Sequence, residues 1–256
     1  MRPTGFMIDM DGTVYKGSDL IPGAVDFINA LKTRGIPFVF LTNNSSHTRS
    51  FYSEKLKRMG FDVGPENVLT SNTAATRFVL SQRAGKRVMV VASPEVTQEV
   101  RSAGVDVVEE DPDIVYLTFD RTITYDKINR AYKALIKGAE LIATHPDDVC
   151  PTEKDYDIDI GPFIRMFEQM CQTTAVVIGK PNSIMLDMAA GEMGVDPKGT
   201  AMVGDRLYTD IKMGNLAGIT SILVLSGETS RSDLEGSDVR PTVILDSVAD
   251  IPALLE

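Results

Sequence analysis

The chain alternates short runs of β-branched and apolar residues with amphipathic stretches whose apolar positions recur at helical spacing. GFMID (Gly5 to Asp9), PFVFLTN (Pro37 to Asn43), RVMVVAS (Arg87 to Ser93), DIVYLTF (Asp113 to Phe119), AELIATH (Ala139 to His145), TAMVGD (Thr200 to Asp205) and TSILVLSG (Thr220 to Gly227) have the near-continuous apolar character of strands covered on both faces. Between them, stretches such as AVDFINALKTRG and YDKINRAYKALIKG read as helices, each closed by a glycine suited to a C-terminal cap. Strand and helix in alternation predict an α/β fold, a doubly wound and mostly parallel sheet with helices on both faces. In such a sheet, ligands gather beyond the carboxyl ends of the strands.

Those ends carry the chemistry. The first run ends Asp9-Met10-Asp11-Gly12-Thr13, the second ends Thr42-Asn43-Asn44-Ser45, and a late one ends Gly204-Asp205 and continues to Asp210. Lys180 follows a further apolar run, AVVI, in the turn Gly179-Lys180-Pro181. A parallel sheet is expected to set all four tips on one edge. Each signal is modest alone. D-x-D-G occurs in calcium loops, although Val14 stands where such a loop has its glycine and Leu20 where it has its bidentate glutamate. Thr42 to Ser45 also suits a strand-to-helix turn with an N-cap, Lys180 suits a solvated lysine, and Asp210 suits a first-turn acid on a helix dipole.

In combination these residues fit phosphoryl transfer through an aspartyl phosphate. Asp9, Asp205 and the backbone carbonyl of Asp11 are hard oxygen donors for a divalent cation. With charge neutralised there, Asp9 can act as the nucleophile, while Asp11 protonates the leaving oxygen and later takes a proton from water. The Thr42 hydroxyl, the Asn43 backbone amide and the Lys180 ammonium are expected to hold the phosphate oxygens.

Composition narrows the partners. With 43% hydrophobic and 24% charged residues in 256, the chain reads as an ordinary globular protein of one or two domains. No apolar run approaches the ~20 residues a membrane helix needs, and the start of the chain lacks a signal-peptide layout, so a cytoplasmic protein with no membrane partner is expected. Cys150 and Cys171 have no zinc or redox spacing and read as reduced structural thiols. An excess of 36 acidic over 26 basic residues, a formal charge of −10, argues against nucleic acid and requires that any phosphate be held locally. No G-x-G-x-x-G follows the first run, which disfavours a nucleotide-binding oxidoreductase. A phosphate-binding receiver or scaffold would also cluster acids at strand ends, but it has no need of Lys180 or of the long interval before it.

The set DMDGT, Thr42 with Asn43, Lys180 and GDRLYTD, in that order, resembles the four motifs of the haloacid dehalogenase superfamily. LTNNSS, the GKP turn, MVGDRLYTDI and ILVLSGET extend the resemblance to its NagD or 4-nitrophenylphosphatase branch over nearly the whole chain. The resemblance implies Asp9 as nucleophile, Asp11 as general acid and base, Thr42 and Lys180 as phosphate ligands, Asp9, Asp11 and Asp205 as the Mg²⁺ site, and Asp210 beside the metal's own ligands. It also implies a catalytic core, 1–77 and 178–256, interrupted by an α/β cap domain, 78–177; the interval between Thr42 and Lys180 is far longer than a parallel crossover needs. Within it, Thr144 to Phe163 gathers His145, Asp147, Asp148, Asp155, Asp157 and Asp159 in an expected loop before a helix. A solvated acidic connection explains that composition; the resemblance adds that His145, Asp155 and Asp159 face the substrate. The expected partner is a small-molecule phosphate monoester, with a homodimer left open.

Overall fold

The computed structural model describes residues 3–152 and 155–255. The chain divides into two compact units, one made of Met1–Thr42, Tyr52–Leu69 and Lys180–Glu256, the other of Asn43–Phe51 and Thr70–Gly179. The interval 78–177 lies inside the second. Each unit is an α/β layer structure built on its own sheet, so the fold class is α/β, with parallel strand pairing in both main sheets.

In the first unit the six-stranded sheet runs Val243–Leu245, Thr220–Val224, Thr200–Gly204, Gly5–Asp9, Phe38–Thr42, Val68–Thr70. The three central strands are buried at every position, which is why their sequences are apolar without alternation. On one face the helix Ala24–Thr33 buries Ala24, Phe27, Ile28 and Leu31, the i, i+3, i+4, i+7 stripe of an amphipathic helix. Phe27 meets Phe6 edge to face at 5.8 Å between centroids, and Phe40 meets Phe61 in the same way at 5.7 Å.

The strand order places the site. From Gly5–Asp9 the chain first adds strands on one side, then returns to add Thr200–Gly204 and its successors on the other. Gly5–Asp9 therefore sits at a topological switch point, where a parallel sheet leaves a crevice beyond its carboxyl ends. Ile8 pairs with Val203 and Asp9 with Leu41, so the ends of the three strands are level.

The second unit holds a five-stranded sheet in the order Val176–Val177, Glu140–Ala143, Ile114–Leu117, Arg87–Val91, Asp106–Val107. Val91, Val115, Leu117, Leu141 and Phe167 form part of its core beneath the helices Tyr125–Leu135 and Gly161–Cys171. Two expectations are corrected here. The AVVI run does not join the sheet that carries Asp9; Val176 pairs with Ile142, so this strand closes the other sheet and Lys180 is the first residue after the chain leaves it. Thr144 to Phe163 is not only a loop, because Val149–Pro151 and Tyr156–Ile158 form an antiparallel hairpin before the helix Gly161–Cys171. Val149, Tyr156 and Ile158 favour extended backbone, and the acidic residues among them masked that preference in the sequence. Neither Cys150 nor Cys171 is in a disulfide. Among the described residues no helix is long and apolar enough to cross a membrane.

Candidate active site

Asp9 is the last residue of its strand, and Asp205 follows directly on Thr200–Gly204. Gly12 lets the chain turn sharply between them, with φ +88; a Cβ there would run into the Asp205 carboxylate, so only glycine fits. The Thr13 hydroxyl donates to Asp9 Oδ2 at 3.4 Å. Leu207–Ile211 forms a π-helical turn, in which the Ile211 N–H reaches back to Arg206 O at 3.2 Å, and the helix Lys212–Ala217 follows. That widened turn carries Asp210, whose Oδ2 accepts the Arg206 N–H at 3.2 Å.

Lys180 joins these pieces. Its ammonium donates to Asp210 Oδ1 at 2.7 Å and also to Asp9 Oδ1, with the side chain almost wholly buried. Asp9, Asp205 and Asp210 are buried and each offers an oxygen within 4.8 Å of the others. Burial pushes Asp9 up to about 6, with Lys180 opposing the rise and Asp210 adding to it. Asp205 is raised well above its ordinary value by burial, then by Asp9 and Asp210. Burial pulls Lys180 down, but Asp210 and Asp9 more than reverse this and hold it charged. One ammonium among three carboxylates leaves the group short of positive charge.

The donor set fits a divalent cation. Asp205 Oδ2 is taken by the Glu228 N–H at 2.6 Å, whereas Asp205 Oδ1 is buried with no hydrogen-bond partner. A buried, unpartnered carboxylate oxygen in an all-oxygen cluster suits a hard cation. Asp210 lies beside Asp9 and Asp205, and both its oxygens already accept hydrogen bonds. The Asp11 side chain is not in that trio; it lies on the exposed bend after the strand. Partial desolvation raises Asp11, while Lys55 and Arg206 pull it back.

Thr42 ends the neighbouring strand and is buried, on the same edge as Asp9. Asn43, the next residue, belongs to the second unit. There its side-chain amide donates to both oxygens of Asp147, at 3.1 and 3.2 Å, and its carbonyl accepts from the Ser71 hydroxyl at 2.5 Å. In that unit His145 is fully buried, with Nδ1 3.6 Å from Asp147 Oδ2 and Nε2 3.5 Å from Asp159 Oδ1. Asp159 is buried, but Asp155 is exposed at the turn of the hairpin, so the acidic stretch divides into buried and solvated parts. Sequence reasoning missed Arg206, Glu228 and the loop around Gly227. GDRLYTD for Arg206 and ILVLSGET for Gly227 and Glu228 were their only signals, and they marked resemblance without a role.

Known proteins resemble this chain over nearly its whole length. Residues 6–106 match the family described as haloacid dehalogenase-like hydrolase, and 177–251 match a second, HAD-hydrolase-like family. A 4-nitrophenylphosphatase crystal structure from Thermotoga maritima superposes with a TM-score of 0.95 at 38% identity, covering 99% of this chain and 98% of that one. 5'-Nucleotidase YutF of Bacillus subtilis is 34% identical over 246 residues, 96% of either chain. Sugar-phosphatase AraL of the same organism is 33% identical over 259 residues, covering 100% of this chain and 94% of its own. The chain belongs to the haloacid dehalogenase-like hydrolases, as a phosphatase of the NagD branch.

Proposed function

We propose that this chain hydrolyses small-molecule phosphate monoesters with Mg²⁺, through an aspartyl phosphate on Asp9. The observation that carries the reading is the buried trio of Asp9, Asp205 and Asp210, with Lys180 bonded to two of them and Asp205 Oδ1 unpartnered. Asp9, Asp205 and the Asp11 carbonyl would hold the cation. When bound, it supplies the charge neutralisation that lets an anionic carboxylate approach an anionic phosphoryl group.

Asp9 attacks phosphorus and the bond from phosphorus to the ester oxygen breaks. Asp11 gives that oxygen its proton, then takes one from the water that attacks the acyl phosphate. Cleavage of the Asp9 oxygen–phosphorus bond restores the carboxylate and releases phosphate. The Thr42 hydroxyl, the Asn43 N–H and Lys180 hold the phosphoryl oxygens, and Asp210 fixes the Lys180 ammonium. This reading gives Asp210 a positioning role.

From the relatives' names we carry over only the class they share, a phosphate monoester. The residues assigned above address the phosphoryl group and its bridging oxygen, so they are blind to the rest of the substrate. We therefore assign substrate choice to the inserted segment 78–177, acting as a cap on a core of 1–77 and 178–256, with His145, Asp155 and Asp159 among its sensing residues. The test is a panel of sugar, nucleotide and cofactor monophosphates with 4-nitrophenyl phosphate, each with and without Mg²⁺. Failure to hydrolyse any would end the proposal. Asp11→Asn should lose less on 4-nitrophenyl phosphate than on an alkyl phosphate, because a good leaving group needs little protonation. Equal relative losses on the two would remove Asp11 as the leaving-group acid.

A further inference from the structure

The loop after the strand Thr220–Val224 lies outside all four motifs, yet within the first unit it touches two of the proposed site's parts. The Ser226 hydroxyl donates to the carbonyl of Gly12 at 2.8 Å. The Glu228 N–H donates to Asp205 Oδ2 at 2.6 Å, and the Thr229 N–H to the Asp205 backbone carbonyl at 3.3 Å. Between them, Gly227 passes so close that a Cβ would overlap the Asp205 carboxylate and lie 2.6 Å from its Cβ. Three donors from four consecutive residues converge on one aspartate and on the turn beside it. Merely closing a sheet needs no such convergence.

The Glu228 side chain faces the other way and anchors the loop. Its Oε1 accepts from the Tyr208 hydroxyl at 2.9 Å, and its Oε2 pairs with Arg206 Nε at 2.9 Å. Arg206 and Tyr208 belong to the same GDRLYTD segment as Asp205. We propose that Ser226–Thr229, anchored through the Glu228 carboxylate, positions Asp205 for the divalent cation, and that Glu228 is a positioning residue. The inference rests on the reading of Asp205 as a cation ligand given above.

The physical basis is the choice left to a buried carboxylate. With Oδ2 fixed by an amide, Oδ1 stays directed and available; without that bond, the group can rotate toward the nearest positive charge. Arg206 is such a charge, and Glu228 holds it. Removing the Glu228 carboxylate thus frees the loop and leaves a guanidinium to compete for Asp205.

The experiment is Mg²⁺ titration by calorimetry, without substrate, on the full chain and on Glu228→Ala, Glu228→Gln and Tyr208→Phe, alongside kcat at limiting and saturating Mg²⁺. Loss of such a supporting partner is expected to weaken Mg²⁺ binding ~10- to 100-fold in Glu228→Ala. Tyr208→Phe should weaken it less. Glu228→Gln, which keeps an acceptor for Tyr208, should recover part of the affinity, and saturating Mg²⁺ should restore kcat. Unchanged Mg²⁺ affinity in Glu228→Ala and Tyr208→Phe, with wild-type binding intact, would overturn the inference and leave the proposed function standing. A fall in kcat at saturating Mg²⁺ with unchanged affinity would overturn it equally. If Glu228→Ala does not fold, Tyr208→Phe, altered at a half-exposed ring, decides alone. A wild-type chain that binds no Mg²⁺ would overturn both readings.

Discussion

Asp9→Asn is expected to lower kcat by at least ~10³-fold, because an amide cannot form the acyl phosphate and no other carboxylate stands in its place at the strand end. The neighbouring acids are already committed. Asp210 accepts from Lys180 and from the Arg206 amide, and Asp205 accepts from the Glu228 amide. The fold should survive the change. Asp9 is a buried carboxylate pushed up to about 6 by desolvation, so removing its charge relieves repulsion with Asp205 and Asp210, while Lys180 keeps Asp210 as partner. An unchanged or higher melting temperature should accompany the loss of rate. Acid-quenched wild type should show a phosphorylated aspartate by mass spectrometry, and the variant should not. Residual turnover within about tenfold of wild type would remove Asp9 as nucleophile.

Much of this site was legible because parallel strands are buried on both faces. That condition writes long apolar runs into the sequence and makes a charge at the end of a run conspicuous. Asp9, Thr42 and Asp205 stand at or one residue past the ends of the three central strands, so reading the runs located the edge they share. Lys180 was recognisable by its place in the order of motifs but not by its strand. Val176–Val177 is two residues long and carries nothing to say which sheet it joins. The strands Val68–Thr70, Asp106–Val107 and Val243–Leu245 were missed because two or three residues are too few to show a period. The π-helical turn at Leu207–Ile211 changes a hydrogen-bond span by one residue, which leaves no mark in composition, yet it carries Asp210 toward Lys180. Glu228 escaped because its contact with Asp205 is made by a backbone amide, which every residue but proline possesses. The side-chain bond from Asn43 to Asp147 escaped as well, because the two residues are far apart in sequence and meet only in the folded second unit.

Chelation of divalent cations is expected to abolish turnover, and Mg²⁺ is expected to raise the melting temperature of the chelated protein. Both follow from the same charge count. Two carboxylates ~5 Å apart at an effective dielectric of ~20 repel by about 3 kcal/mol, and the trio contains three such pairs, only partly offset by Lys180. Without a cation, approach of an anionic phosphoryl group adds to that repulsion. With one, Asp205 Oδ1 gains the partner it otherwise lacks. The thermal arm separates binding from chemistry, because a ligand that binds only the folded state stabilises it by about 2.7 kcal/mol at one hundred times its dissociation constant. In a chain of this length that amounts to several degrees. Asp205→Asn should lose most of the Mg²⁺-dependent shift, since an amide oxygen carries no charge and its nitrogen is a donor. Lys180→Met should abolish turnover through loss of the phosphate ligand, yet retain a shift with Mg²⁺, because it leaves all three carboxylates in place. Full activity after exhaustive chelation, or a melting temperature indifferent to Mg²⁺ in wild type, would mean that the trio does not serve a cation and that Lys180 alone balances it.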